Sequence, residues 1–212
     1  MFRWIVGVAV LAAAVGAKAQ EPLSLFGIAF NQPLAMPECE WKTREKLRFS
    51  RKEPKTMENY YSGMWPKEGN CYKRPMSKVG STEPLNNETI SIEFPLSKQP
   101  TLGNYVAGRV VDGRLQRLWL TTGGISTQER DFQLLKEKFG QPAALLTPKQ
   151  QNRMGATFET IEAEWMLPDD ITATYGSAVG KITEGSLIVA TPAGQASYQQ
   201  AMDAILNRGT QL

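Results

Sequence analysis

The sequence predicts an α+β protein: two tandem β-β-β-α repeats built on antiparallel sheet, with a disulfide-closed insert in the first repeat. Three observations carry this prediction. Residues 108–115 read GRVVDGRL and residues 180–187 read GKITEGSL, nearly the same phrase twice. Residues 90–96 read ISIEFPL and residues 161–167 read IEAEWML, two alternating segments that match at Ile, Glu, aromatic and Leu. A helical pattern follows each of the doubled phrases.

The chain opens with a predicted secretory signal peptide, residues 1–19. Arg3 precedes an apolar run from Trp4 to Val15, and Ala17-Lys18-Ala19 supplies the A-x-A cleavage pattern. That run is too short to span a bilayer comfortably, and no Cys stands at the cleavage point to receive a lipid. The expectation is an exported protein with no transmembrane span in the mature chain, periplasmic in a Gram-negative bacterium rather than extracellular. The leader holds Arg3 and Lys18 and no acid, so its removal brings the formal net charge from +3 to about +1. Polyanion binders carry a larger basic excess, so nucleic acid is not an expected partner.

Each later element has its own signal. Ile90, Ile92, Phe94 and Leu96 alternate with polar residues, as do Ile161, Ala163, Trp165 and Leu167, the pattern of strands with one buried face. Pro95 marks a strand end or an edge. Asp112-Gly113 between apolar runs predicts a two-residue hairpin turn, and Glu184-Gly185 a weaker version of it. Ser126-Thr-Gln-Glu129 reads as a capping box opening a helix with Phe132, Leu135 and Phe139 on its inner face, closed by Gly140 and Pro142. A second helix is expected from Gln195 to Arg208, with Tyr198, Ala201, Met202 and Ile205 inward and Gly209 at its end.

Phe139-Gly-Gln-Pro142 and Phe30-Asn-Gln-Pro33 match as well, Asn replacing Gly at a positive-φ position. Pro33 to Ile90 spans 57 residues against 19 from Pro142 to Ile161, so on that alignment the first repeat, residues 20–140, carries an insert of about 38 residues relative to the second, residues 141–212, the two forming one unit. Cys39 and Cys71, the only cysteines, both fall in the excess. An even count in an exported chain predicts one disulfide between them, closing the insert 39–71.

A helix ending in Phe-Gly-Gln-Pro, strands, and Glu-Gly opening a last strand resemble the small envelope modules called SmpA/OmlA. The order also resembles the tandem-repeat fold of secreted β-lactamase-inhibitor proteins. The similarity covers about residues 126–191, with a first copy at about 24–121. Those modules usually place two helices before their strands; here Thr147-Pro148-Lys149-Gln150 offers only a short capping-box turn in place of one of them. The resemblance implies binding to proteins in the cell envelope, and it assigns no functional residue.

The chain contains no His. Ser-His-Asp and Cys-His catalysis and His-containing zinc sites are therefore excluded. No P-loop, EF-hand or GxSxG motif is present, and no cofactor, metal site or catalytic residue is assigned. Glu93 and Glu164 occupy matching positions and form the one carboxylate pair that a hydrolase of an envelope polymer could use. Asp169-Asp170 reads as turn chemistry.

The insert is the stronger candidate. Residues 42–55, KTREKLRFSRKEPK, hold seven basic and two acidic residues, and Lys42, Arg44, Lys46 and Arg48 alternate so that a strand would place them on one face. Arg51 and Lys52 continue the charge, and Tyr60, Tyr61 and Trp65 follow. Arg and aromatic residues are enriched in interfaces. The expected function is non-catalytic binding of an acidic protein or an anionic envelope ligand through this loop. A purely structural envelope component is the remaining alternative.

Overall fold

The computed structural model describes residues 22–45, 56–63, 65–103, 105–151 and 155–209, without the side chains of 207–209. The predicted leader lies outside these residues. In chain order the strands are β1 (Ser24–Leu25), β2 (Ile28–Ala29), β3 (Trp41–Glu45), β4 (Met57–Tyr61), β5 (Cys71–Lys73), β6 (Glu88–Glu93), β7 (Tyr105–Val111) and β8 (Arg114–Thr122). Helix α1 (Gln128–Phe139) comes next. It is followed by β9 (Ala144–Leu146), β10 (Lys149–Gln151), β11 (Thr157–Glu159), β12 (Glu162–Leu167), β13 (Ile171–Gly176), β14 (Gly185–Ala190) and helix α2 (Pro192–Gly209). The protein is α+β, its sheets antiparallel, with Cys39 bonded to Cys71.

Eight strands form one sheet in the order β5-β6-β7-β8-β14-β13-β12-β9. The order is palindromic: β8 and β14 meet at the centre, and each leads into a helix. One face is apolar. Ile90, Ile92, Val106, Val110, Leu118, Leu120, Leu187, Val189 and Ala173 are buried on it. Leu25, Ile28 and Phe30 and the inner residues of α1 join the same core. Trp165 is its largest member; Phe132 and Phe139 of α1 lie 6.2 Å and 5.7 Å from its ring, and its indole N–H donates to Gly140 O at 2.9 Å. That bond uses a carbonyl that the helix end leaves without an intrahelical partner. On the opposite face α2 packs over β7, β8 and β14, leaving the strands beyond β14 uncovered. Among the described residues no helix is long and apolar enough to cross a membrane.

Several local expectations hold. Asp112 (φ 49°) and Gly113 (φ 71°) form the two-residue turn between β7 and β8, both with the positive φ that a type I′ turn requires. Asp169 and Asp170 have positive φ in the β12–β13 turn, and Asn31 and Gly140 share positive φ at the matched Phe-Asn-Gln-Pro and Phe-Gly-Gln-Pro positions.

Others are corrected. Gly185 is not at a turn; it is the first, buried residue of β14, and the connection runs through residues 177–184 with Gly180 at positive φ. Its glycine serves close approach instead: a Cβ there would lie 2.5 Å from Thr122 Oγ1 and 2.7 Å from Gly176 O. The Ser126–Glu129 capping box does not form, because a 3-10 turn at Gly124–Ser126 consumes Ser126, whose hydroxyl donates back to Gly123 O. Thr127 occupies the N-cap position without a side-chain capping bond; its hydroxyl donates instead to the carboxylate of the fully buried Asp131. Strand β6 ends before Pro95, so Leu96 is exposed. The expected turn at 147–150 instead leads into β10, paired with β11. Helix α2 starts at Pro192, before the expected Gln195, and its Ile205 is exposed rather than inward.

Replacing Gly113 by Val should cost about 1–3 kcal/mol, because a β-branched side chain is strained at positive φ. Gly185→Ala should also lower the denaturant midpoint, through the clash with Thr122 and Gly176. Unchanged midpoints in denaturant melts would refute both roles.

Candidate functional site

Strands β3 and β4 form a two-stranded ribbon outside the main sheet. Its register pairs Trp41 with Tyr61, Lys42 with Tyr60, Thr43 with Asn59 and Arg44 with Glu58. Because side chains alternate along a strand, this pairing sorts the ribbon into two faces.

The inner face holds Trp41, Thr43, Asn59 and Tyr61, and it is fastened to the body. Trp41 covers Gly80, where a Cβ would come within 2.7 Å of the indole, so only glycine admits the ring. Asn59 Nδ2 donates to Val79 O at 2.9 Å, and Asn59 Oδ1 accepts from the Thr43 hydroxyl at 2.8 Å. The Tyr61 hydroxyl donates to Glu38 Oε1 at 2.8 Å and accepts from the Arg74 amide. Glu38 also accepts from the Gly80 amide at 3.3 Å. Burial pushes the Tyr61 phenol above its ordinary pKa; the Arg74 amide opposes this, and the neighbouring Glu38 carboxylate adds to it. Beside this knot the Cys39–Cys71 bond ties the ribbon's base to β5, and Cys39 N donates to Tyr72 O at 2.8 Å.

The outer face holds Lys42, Arg44, Glu58 and Tyr60. Every residue of β3 is exposed. Arg44 Nε bonds Glu58 Oε1 at 2.9 Å, and its guanidinium lies 4.7 Å from the centre of the Tyr60 ring. The ion pair and the cation–π contact hold the guanidinium against the ribbon while leaving it solvent-accessible. Lys46, Arg48, Arg51 and Lys52 lie outside the described residues.

Of the predicted binding residues, the fold therefore brings Lys42, Arg44 and Tyr60 together. Tyr61 points the other way, as a strut. Trp65 stands apart from the outer face, at the rim of a cavity of about 430 Å³ beside the disulfide, lined also by Glu38, Lys73 and Glu93. Glu38 was not visible as functional in the sequence: its partners at positions 61 and 80 carry no local signal.

Glu93 and Glu164 are not a working pair. Glu93 bonds Lys73 at 3.1 Å on β6, whereas Glu164 is exposed on β12. Strands β7, β8, β14 and β13 lie between them. Five strand spacings amount to about 24 Å along the sheet, well beyond the roughly 5–9.5 Å that glycosidase carboxylates span. No family model, curated protein or solved structure matches this chain.

Tyr61→Phe leaves Glu38 without its hydroxyl donor and should destabilise by about 1–3 kcal/mol, while Tyr60→Phe should be near neutral. The raised phenol also fixes a pH dependence. The folded state keeps its proton after the unfolded chain has lost one, so this contribution is complete below about pH 10 and declines as pH rises above it. Melts from pH 8 to 11 should show a steeper alkaline loss in the parent than in Tyr61→Phe; equal slopes would contradict the assignment.

Proposed function

We propose that this chain is an exported, non-catalytic binding protein of the cell envelope whose docking surface is the outer face of the β3–β4 ribbon. Its counterpart is an acidic protein surface or an anionic envelope ligand. One observation carries the reading: Lys42, Arg44 and Tyr60 share a solvent-facing side while the opposite side of the same ribbon is pinned by Trp41, Asn59, Tyr61 and the disulfide. A ribbon held in this way loses little conformational entropy when it docks. Arg and Tyr supply the hydrogen bonding and stacking common at interface hot spots.

The scaffold in this reading is a tandem β-β-β-α repeat, and the ribbon is an addition to it. The palindromic strand order supports that view, since each half of the sheet ends in a central strand followed by a helix. At the corresponding place the second half carries only a shorter antiparallel pair, β10–β11, with strands of three residues against five in the ribbon. Export is supported by the leader pattern and is compatible with the disulfide.

The test uses immobilised oligo-glutamate as an acidic probe. Lys42→Gln with Arg44→Gln should elute at clearly lower salt than the parent, because charge attraction is screened. Its melting temperature should change little, since exposed pairs contribute about 0–1 kcal/mol. Unchanged elution would sink the ribbon as the docking surface.

A further inference from the structure

A second anion-seeking feature lies on the eight-stranded sheet, at its central strand β8. Arg117 of β8 is 7% exposed. Its guanidinium lies 3.8 Å from the centre of the Tyr198 ring of α2, and its Nε is buried without a hydrogen-bond partner. No described carboxylate forms an ion pair with it. The residue directly across β7 is Arg109, a second cation, which is bound to Ser197 and Thr89. Buried charges are normally paired, and like charges opposite one another in a sheet are unfavourable. Burial lowers the pKa of both arginines, with Tyr198 opposing the shift at Arg117 and Glu88 opposing it at Arg109.

Arg117 lines a cavity of about 290 Å³ together with Trp119, Val179, Glu184, Ile188 and Tyr198. Glu184, also on this lining, is half exposed and pairs with Lys181 at 3.2 Å, not with Arg117. Val179, Ser186 and Ile188 also line a neighbouring cavity of about 310 Å³ on the uncovered sheet face, so the two cavities adjoin across β14. Next to Arg117 the lining is apolar at Ile188 and Val179; Glu162 and Glu164 of β12 come next across the sheet, and Leu146 of β9 lies beyond them. The lining is thus cationic under α2, apolar at β14 and acidic at β12.

We propose that Arg117 anchors a binding site for a carboxylate carried on an apolar body, the acid group against the guanidinium and the body along Ile188 and Val179. The missing counterion is the ligand's own, and a guanidinium held over the Tyr198 ring is positioned to receive it. Glu162 and Glu164 would repel a carboxylate bound in the reverse sense, which fixes the ligand's direction. The same chemistry is offered by a free aliphatic acid and by the C-terminus of an apolar peptide.

Calorimetric titration of the full chain distinguishes these sources. The probes are octanoate with octanamide, and N-acetyl-Phe-Leu as free acid with its C-terminal amide. The free acid of at least one pair should bind about tenfold or more tightly than its amide. Preference within the first pair points to a free acid, preference within the second to a peptide terminus, and preference in both to the shared chemistry alone. Arg117→Met should remove the preference while melting no lower than the parent, because an unpaired buried charge has been removed. Should that variant fail to fold, the acid–amide comparison on the parent still decides. Absent binding of all four probes, equal binding of acid and amide in both pairs, or an undiminished preference in a folded Arg117→Met protein would overturn the proposal.

Discussion

The pairing of β8 with β14 is the constraint on which the architecture depends. Six residue pairs, from Gly185 with Thr122 to Ala190 with Arg117, join segments far apart in the chain into a single sheet. Every other strand of that sheet is added outward from this seam. Close approach sets its terms, since at Gly185 even a methyl group would collide with Thr122 and Gly176. Once the seam closes, side-chain alternation assigns Leu118, Leu120, Leu187 and Val189 to the core. The same alternation sends Arg117, Trp119 and Ile188 to the face that α2 only partly covers. The core and the unpaired arginine are two consequences of one register.

The ribbon follows the same logic at smaller scale. With Trp41 opposite Tyr61, one side must carry the anchors and the other the charges. A one-residue shift of β3 against β4 would turn Lys42 and Arg44 toward the body while Tyr61 kept its side. The tethers at Glu38, Gly80 and Cys39–Cys71 therefore do more than stabilise the ribbon: they select which side faces outward. Lys42 and Arg44, the described members of the basic run, thus come to share one directed face.

What the sequence disclosed was local. Asp112-Gly113 was legible because a type I′ turn demands positive φ from its own two residues, and the inner face of α1 because helical spacing lies within a dozen positions. The disulfide followed from a count of two. Glu184-Gly185 misled because a turn signal and a close-approach glycine look alike until the neighbouring strand is known. Leu96 and Ile205 misled because periodicity says which face is apolar but not where the neighbouring layer ends. In the candidate site the shared face of Lys42 and Arg44 came from alternation, whereas the opposite orientations of Tyr60 and Tyr61 required the register of the partner strand. Glu38 and Arg117 were hidden altogether, since the role of each is defined by residues remote in the chain.

Amide hydrogen exchange, recorded on the full chain with and without a soluble oligo-glutamate peptide, tests the docking ribbon most directly. The account predicts that exchange slows at Trp41–Glu45 and Met57–Tyr61 on addition of the peptide, and that the effect fades as salt is raised. Unchanged exchange across both strands, or slowing confined to the eight-stranded sheet, would contradict it.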